Sequence, residues 1–154
     1  MDYKCEIYHQ ESQPTFSIRT RTAVSQLPQI LGESYGKIIQ YLVSLGEQPG
    51  GAPYVAYFNM DMQDLDIEIG FPTGSKLPGE GIIQSGEMPS GKYSSCLHTG
   101  PYSELAPAYQ ALNEFLSTQN LRPSGIAYEF YLNDPNEVTQ EELKTLIVFP
   151  LLPE

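Results

Sequence analysis

The sequence predicts an α+β fold built from two copies of a β-α-β-β unit, with one long helix in each copy. YGKIIQYL, residues 35–42, returns as YQALNEFL 74 positions later, and PYVAYFN, residues 53–59, returns as AYEFYLN at the same shift. IEIGFP, residues 67–72, returns as TLIVFP after 78 positions. Because one gapless shift covers both a helical and an extended pattern, we interpret the chain as an internal duplication.

The first copy opens with FSIRTRT, residues 16–22, whose alternation is typical of a strand. A helix should follow, with Ser25 as its N-cap, Pro28 in its first turn and Gly46 at its end. Two strands then close the copy, joined by the acidic turn NMDMQDLD. The apolar stripe of the helix consists of Leu27, Ile30, Leu31, Tyr35, Ile38, Leu42 and Leu45.

The second copy repeats this order. YSSCLHT, residues 93–99, predicts a strand, Ser103 a helix N-cap, and Leu105, Tyr109, Leu112 and Leu116 the apolar stripe. Two strands joined by NDPNEVTQEE follow. KCEIYHQ and GIIQSGE, at the heads of the two halves, each predict an additional edge strand, which raises the count to eight.

The predicted boundaries define a single domain of two repeats. The first repeat covers about residues 1–74, the Gly- and Pro-rich linker TGSKLPGEG covers residues 73–81, and the second repeat covers about residues 81–154. Duplicated antiparallel units favour pseudo-twofold symmetry, with the sheet curved around a central ligand cleft. In that arrangement Tyr57 would face Tyr131, and Tyr35 would face Tyr109.

Charge and hydropathy exclude several classes of function. The 154 residues contain 19 acids and 8 bases, a formal charge of −11, and the bases are scattered. Direct nucleic-acid binding requires a basic stripe, so we expect none, whereas a negative surface favours a cationic ligand or a basic protein partner. No apolar run approaches the roughly 18 residues of a membrane span, and the N-terminus lacks a secretory signal pattern. These features predict a cytoplasmic protein.

Cysteine and histidine spacing predicts neither a metal nor a cofactor. Cys5 and Cys96 are far apart and form no CxxC pair, and His9 and His98 are isolated. Free thiols are the favoured interpretation, with a disulfide left open. No phosphate-binding loop and no dinucleotide fingerprint is present in the sequence.

Glu129 is the most conspicuous residue, because it lies inside the aromatic strand GIAYEFYLND. A buried ionised carboxylate is costly unless it is paired. Strand alternation provides one explanation, in which Ala127, Glu129 and Tyr131 face water while Tyr128, Phe130 and Leu132 face the core. The duplication favours another: Val55 occupies the equivalent place in the first copy, so the framework does not require an acid there.

Three motifs, in this order and spacing, resemble the GyrI-like family. They are HTGPY at residues 98–102, YEFYLNDP at residues 128–135 and IVFPL at residues 147–151, and the likeness spans residues 2–152. The family includes the effector-binding domains of AraC-type and MerR-type transcription regulators. The resemblance implies a duplicated β-α-β-β fold whose central cleft binds small molecules. It also implies a stand-alone member, since no helix-turn-helix segment precedes residue 1.

The resemblance further implies a ligand chemistry. Drug-responsive relatives hold lipophilic cations with stacked tyrosines and with a glutamate that matches Glu129, and pocket tyrosines match Tyr35 and Tyr54. Leu105 stands where such a relative has an aromatic residue, which leaves ligand identity open. The complete predicted ligand-binding set is Glu129, Tyr131, Tyr35, Tyr54, Tyr57, Tyr109, Glu68, Leu105 and Phe149.

The chemistry of these residues leads to the same hypothesis. Tyrosine faces attract a cation by about 0.5–2 kcal/mol per good contact, and Glu129 would supply the countercharge. Burial should raise the pKa of Glu129, so cation binding is expected to strengthen as the pH rises. Glu68 is a second candidate acid, whereas Asp61, Asp64 and Asp66 are expected to form a solvated turn.

Three functions are compatible with the sequence. The favoured one is a stand-alone protein that binds lipophilic, aromatic and cationic small molecules, in multidrug or toxin resistance. The alternative is a hydrolase of cyclopropane-containing or other reactive lipophilic toxins, with Glu129 and a pocket tyrosine as its catalytic groups. The third is an acidic inhibitor that binds a protein partner.

Overall fold

The computed structural model describes residues 3–153, which form two compact units of mixed α+β structure. The first unit contains residues 11–90, and the second contains residues 3–10 and 91–153. Each has four antiparallel strands and one long helix, so the described residues contain eight strands, the higher count that the sequence allowed.

In the first unit the strand order is β3-β4-β2-β5, and every neighbouring pair is antiparallel. Phe16 lies directly opposite Phe71, and Val55 lies opposite Ile69. The elements are β2 (Gln13–Thr22), α1 (Leu27–Ser44), β3 (Tyr54–Tyr57), β4 (Leu65–Pro72) and β5 (Gln84–Met88).

In the second unit the strand order is β1-β6-β8-β7, again antiparallel throughout. Cys96 lies opposite Ile147, and Ile147 lies opposite Glu129. The elements are β1 (Cys5–Gln10), β6 (Gly91–Thr99), α2 (Ala106–Thr118), β7 (Ala127–Tyr131) and β8 (Lys144–Pro150).

The compact units and the sequence repeats divide the chain differently. Strand β1, at the head of the first half of the sequence, pairs with β6 and belongs to the second unit. Strand β5, at the head of the second half, pairs with β2 and belongs to the first unit. Each helix and the two strands that follow it remain together, so only the edge strands are exchanged.

The predicted helix N-caps are wrong. Ser25 and Ser103 lie inside short 3-10 turns that precede α1 and α2, and neither caps a helix with its side chain. Each α-helix instead has a proline in its first turn, as predicted for Pro28. Proline has no N–H and is tolerated only there, so its position determines where each helix starts.

Helix α1 ends one residue before the last residue of its predicted apolar stripe. Its last residue is Ser44, and Leu45, predicted to continue the stripe, is 37 % exposed. Gly46 has φ +73°, the left-handed conformation that commonly terminates a helix.

Each helix covers one face of the strands in its own unit. Ile38 and Leu42 of α1 are fully buried against Phe16, Ile18 and Phe71. In the second unit, the corresponding cluster consists of Cys96, Ala108, Leu112, Leu116, Ala127, Ile147 and Phe149. Leu112 and Leu116 follow Ile38 and Leu42 at the shift of 74, so the duplication is visible in the packing as well as in the sequence.

The acidic turn of the first unit is exposed at Asp61 and Asp64, as predicted, and Asp64 and Asp66 are also ion-paired. Arg19 donates to both carboxylate oxygens of Asp66, at 2.7 and 2.9 Å, and Arg21 donates to both oxygens of Asp64, at 3.0 Å each. These bonds lower the pKa values of both carboxyls. Of the three acids, only Asp66 is half-buried.

Across residues 3–153, the structure contains no helix that combines the length and the apolar composition needed to cross a membrane. The same residues contain no group of three or more His, Cys, Asp or Glu side chains arranged to hold a metal ion.

Candidate ligand-binding site

Glu129 faces α2. Ala127 belongs to the core cluster under α2, and alternation places Glu129 on the same face of β7. Its cross-strand neighbour Ile147 belongs to that cluster too. The explanation that Glu129 faces water is therefore wrong, since Glu129 is only 8 % exposed. Tyr128, on the other face of β7, is 6 % exposed, so both faces of the strand are covered here.

Two tyrosines hold the Glu129 carboxylate. The Tyr109 hydroxyl, from α2, donates a hydrogen bond to Oε2, and the Tyr131 hydroxyl, from β7, donates to Oε1 at 2.9 Å. Burial raises the pKa of Glu129 above its ordinary value, and the two hydroxyl bonds oppose part of that rise. The sequence-based expectation of a raised pKa therefore agrees with the structure in direction.

Aromatic rings surround this carboxylate. The rings of Tyr109 and Phe149 lie 5.8 Å apart between centroids, and those of Tyr131 and Tyr102 lie 5.5 Å apart in an edge-to-face arrangement. Phe149 is buried and Tyr102 is exposed, so the aromatic cluster extends from the core to the surface. Leu105 packs against the same core at the start of α2. These residues, with Glu129, are called the Glu129 site below.

Tyr102 was missed by the sequence-based selection of site residues. It lies within the HTGPY motif, directly before α2, and its aromatic type was the available signal. Burial raises the pKa of its hydroxyl, and the nearby negative charges of Asp134 and Glu129 raise it further. This electrostatic interaction places Tyr102 within reach of the Glu129 charge.

A row of polar residues borders the Glu129 site. Thr145 of β8 lies directly opposite both Tyr131 and His98 in the strand register, so the three side chains share one face. Thr145 is fully buried, and its hydroxyl has no hydrogen-bond partner among residues 3–153. Buried polar groups are usually hydrogen-bonded, so the Thr145 hydroxyl is an exception within this site.

His98 is held in place by its neighbours. Nε2 lies 3.2 Å from the carbonyl oxygen of Pro101, which only accepts, so we assign the ring proton to Nε2. The Tyr3 hydroxyl then donates to Nδ1 at 3.2 Å, and the two rings stack 6.0 Å apart. Both nitrogens are thereby engaged, and His98 is a buried structural residue at the end of the polar row.

The first unit places Tyr35 differently from its equivalent Tyr109. The Tyr35 hydroxyl donates to the backbone carbonyl of Tyr54 at 2.9 Å, and its ring contacts Phe71 edge-on at 5.2 Å. Val55, at the place equivalent to Glu129, is fully buried. Tyr57 shares the α1-facing side of the strand with Val55 and is half-buried.

Tyr54 and Glu68 lie on the other face of the first unit. Tyr54 is opposite Gly70, so Tyr54 and Glu68 point away from the α1-facing residues Ile69 and Phe71. The Tyr54 hydroxyl donates to Glu68 at 2.7 Å. The second candidate acid thus has one tyrosine partner and a different structural position from Glu129.

The predicted ligand-binding residues therefore fall into three groups. The structure brings Glu129, Tyr131, Tyr109, Leu105 and Phe149 together in the second unit. Tyr35 and Tyr57 lie on the α1 side of the first unit, and Tyr54 and Glu68 lie on its opposite face. The predicted facing of Tyr57 with Tyr131, and of Tyr35 with Tyr109, stays a prediction.

A surface depression occurs at another place in the second unit, at the C-terminal end of α2. Its lining shares no residue with the Glu129 site, and consists of Gln119, Asn120, Leu121, Arg122, Leu152 and Pro153.

The chain forms a small-molecule-binding domain, as its match to a family model shows. The chain belongs to the GyrI-like family, since the family model of the GyrI-like small molecule binding domain matches residues 3–152. No curated protein matches the chain significantly in sequence.

Solved structures of three proteins illustrate the shared fold. The C-terminal domain of EcmrR is 19 % identical, with a TM-score of 0.81 and all of both chains covered. In the complex of EcmrR with DNA the identity is 18 % and the TM-score 0.83; the match covers 99 % of this chain but only 58 % of the EcmrR chain. A hydrolase from Listeria innocua is 17 % identical, with a TM-score of 0.72 and 97 % and 92 % of the chains covered. SAV2435 bound to tetraphenylphosphonium is 13 % identical, with a TM-score of 0.62 and 99 % and 94 % covered. At these identities the likeness shows the fold.

Proposed function

We propose that the protein binds lipophilic cations at the Glu129 site. The observation that carries the proposal is a buried carboxylate that two tyrosine hydroxyls hold in an aromatic cluster. Within residues 3–153, no Lys, Arg or His forms an ion pair with Glu129. An incoming cation would supply the missing countercharge.

The energetics favour a cation over a neutral ligand. Burial destabilises the ionised form of Glu129, and a positive charge placed beside it reverses that effect. The ring faces of Tyr109, Tyr131 and Tyr102 each add about 0.5–2 kcal/mol of cation–π attraction where contact is good. Both interactions depend on ligand charge, whereas the apolar contacts with Phe149 and Leu105 do not.

Among the proteins with this fold, SAV2435 has been seen bound to tetraphenylphosphonium, a cation with four phenyl groups. That ligand has the chemistry that the Glu129 site of this chain would select. A role in multidrug or toxin resistance follows if expression of the chain raises the tolerance of cells to such compounds in proportion to their affinity.

Calorimetric titration with two ligands of the same shape and opposite charge tests the proposal. We expect the protein at pH 8 to bind tetraphenylphosphonium and to discriminate against tetraphenylborate. Glu129→Gln keeps the size and polarity of the side chain and removes its charge, so cation affinity should fall by about tenfold or more, or roughly 1.4 kcal/mol.

Glu68→Gln is the matched control, since it removes one carboxylate bonded to one tyrosine from the other face of the first unit. We expect it to change cation affinity by less than about twofold, the size of a screened long-range effect. Equal binding of the two ligands, or equal losses in the two Gln variants, would refute selective binding at Glu129.

A hydrolase is the second candidate, favoured by the raised pKa of Glu129 and its hydrogen bond from Tyr109. A glutamate with a raised pKa can transfer a proton or activate water beside a reactive ligand. Incubation with a cyclopropane electrophile distinguishes the two functions. Turnover that disappears in Glu129→Gln supports the hydrolase, and saturable binding without product supports the binding protein.

A further inference from the structure

We propose that Cys5 and Cys96 form a reversible disulfide that fastens strand β1 to β6. The two cysteines are directly opposite each other in the antiparallel register of these strands, and both are free thiols. The cysteine spacing in the sequence left the pairing open, and the strand register brings the two residues together. This inference does not depend on the proposed ligand.

The register meets the geometric requirement for a disulfide. Directly opposed residues of antiparallel strands have Cα atoms about 4.5–5.5 Å apart, within the range of about 4.4–6.8 Å that disulfides adopt. The two thiols are close enough for each to shift the pKa of the other. Both side chains lie on the α2 face of the second unit, so neither strand needs to rotate for a bond to form.

The two thiols differ in reactivity. Cys96 is 1 % exposed, and burial raises its pKa to about 12. Cys5 is half-buried; burial also raises its pKa, but the interaction with the Cys96 side chain lowers it in part. Because the thiolate is the nucleophile, Cys5 is the thiol that reacts first.

Hydrogen peroxide is an oxidant of the required class. The Cys5 thiolate attacks one peroxide oxygen, the O–O bond breaks, and Cys5 sulfenic acid and one water form after protonation. The Cys96 sulfur then attacks the Cys5 sulfur, its proton leaves with the hydroxyl group, and a second water is released. Overall, two thiols and one peroxide give one disulfide and two waters.

The disulfide would link β1, an edge strand of the second unit, covalently to its neighbour β6. Within the described residues, β1 pairs only with β6, and Tyr3, just before it, supports His98. The disulfide closes most of the chain into one loop, and long loops gain the most stability from a cross-link. Oxidation should therefore raise the melting temperature.

The test treats the reduced full chain with one equivalent of hydrogen peroxide. We expect maleimide labelling under denaturing conditions to lose both thiols and the intact mass to fall by two hydrogens. The melting temperature should rise by on the order of 5–10 °C, and dithiothreitol should reverse all three changes.

Two single variants show what each thiol does without the other. Cys96→Ala suits the apolar core and leaves Cys5, which should give a sulfenic acid that dimedone traps. Cys5→Ser leaves only the buried thiol, whose oxidation should be at least about tenfold slower. A gain of oxygen without loss of both thiols, a disulfide-linked dimer, or a melting temperature that does not rise would each overturn the proposal.

Discussion

Each unit has a tyrosine at the equivalent position of its helix, but the two hydroxyls donate to different acceptors. Tyr35 donates to the backbone carbonyl of Tyr54, whereas its equivalent Tyr109 donates to the Glu129 carboxylate. Both rings also contact a phenylalanine of the last strand of their repeat. The tyrosine–phenylalanine pair is therefore part of the duplicated framework, and the acid is an addition to one copy.

A second buried position differs in the same direction. Thr145 follows Ile67 at the shift of 78, and both are fully buried on the helix-facing side of their units. The second unit thus replaces two apolar core residues by polar ones at neighbouring places, Val55 by Glu129 and Ile67 by Thr145. Burying polar groups costs stability, so their presence together in one copy is typical of a functional site.

Removing the phenylalanine from the tyrosine–phenylalanine pair of either unit should have the largest effect on stability. Phe71→Ala and Phe149→Ala should each lower the free energy of unfolding by about 3–5 kcal/mol, because both rings are buried. Urea unfolding checks the size. We expect only Phe149→Ala to weaken tetraphenylphosphonium binding as well; equal losses of affinity would show that the two units contribute alike.

Transferring the acid to the first unit should have the next largest effect. Val55→Glu places a carboxylate opposite Ile69. The Tyr35 hydroxyl already donates to the backbone carbonyl of Tyr54, so it does not hold the new carboxylate as Tyr109 holds Glu129. The substitution should therefore lower the free energy of unfolding by about 2–4 kcal/mol at pH 8. Since an unpaired buried carboxyl has a raised pKa, the cost should shrink as the pH falls. Val55→Thr, similar in volume and without charge, is the control. A cost of Val55→Glu no larger than that of Val55→Thr would mean that the first unit accepts an acid as readily as the second.

The pH dependence of stability isolates Glu129. Its folded pKa is raised, so the folded state holds a proton that the unfolded state loses. Stability should be complete below the unfolded pKa and fall as the pH rises to the folded pKa, with a slope of at most about 1.4 kcal/mol per pH unit. Thermal unfolding at a series of pH values should show this dependence of stability on pH, and the dependence should be weaker in Glu129→Gln.

Cation binding should depend on pH in the opposite direction. Because only the ionised carboxylate is a countercharge, affinity for tetraphenylphosphonium should rise with pH through the Glu129 titration and then level off. Binding should release a proton, detectable as a calorimetric heat that varies with the buffer. Flat affinity from pH 4.5 to 8 in the unmodified protein would contradict the role of Glu129.

The smallest expected effect concerns the second polar replacement. Thr145→Val makes the second unit resemble the first and removes a buried hydroxyl without a partner in the described residues, so stability should rise by about 1 kcal/mol. Urea unfolding measures the change. Ile67→Val, at the equivalent place, is the control and should lower stability by about 1 kcal/mol. A loss of stability in Thr145→Val would show that water or a neighbouring group satisfies the hydroxyl.

Much of the fold could be predicted from the sequence, because helix and strand periodicities are local. The duplication, both helices, all eight strands and the GyrI-like family were predictable. The capping roles of Ser25 and Ser103 were not, because Pro28 and Pro107 override the caps. The exchange of β1 and β5 was also beyond the sequence, since an edge strand's pattern does not specify its partner.

The candidate site was predictable in composition more than in arrangement. Alternation established that Ala127, Glu129 and Tyr131 share one face, but it could not tell whether that face meets water or a helix. Glu68 was only a second candidate acid, in the acidic strand LDIEIG, and its register places it on the other face of the first unit. Tyr102 escaped notice because a short turn before a helix has no periodicity to identify it.

By itself, the sequence determined that one copy carries an acid where the other carries valine, and that each helix repeats a tyrosine. Only the tertiary structure decided that the hydroxyls of Tyr109 and Tyr131 meet on Glu129, and that Cys5 lies opposite Cys96. The physical reason is the range of the interactions. Periodicity and repeats follow from neighbouring residues, whereas strand register and helix packing join residues that are distant in the chain.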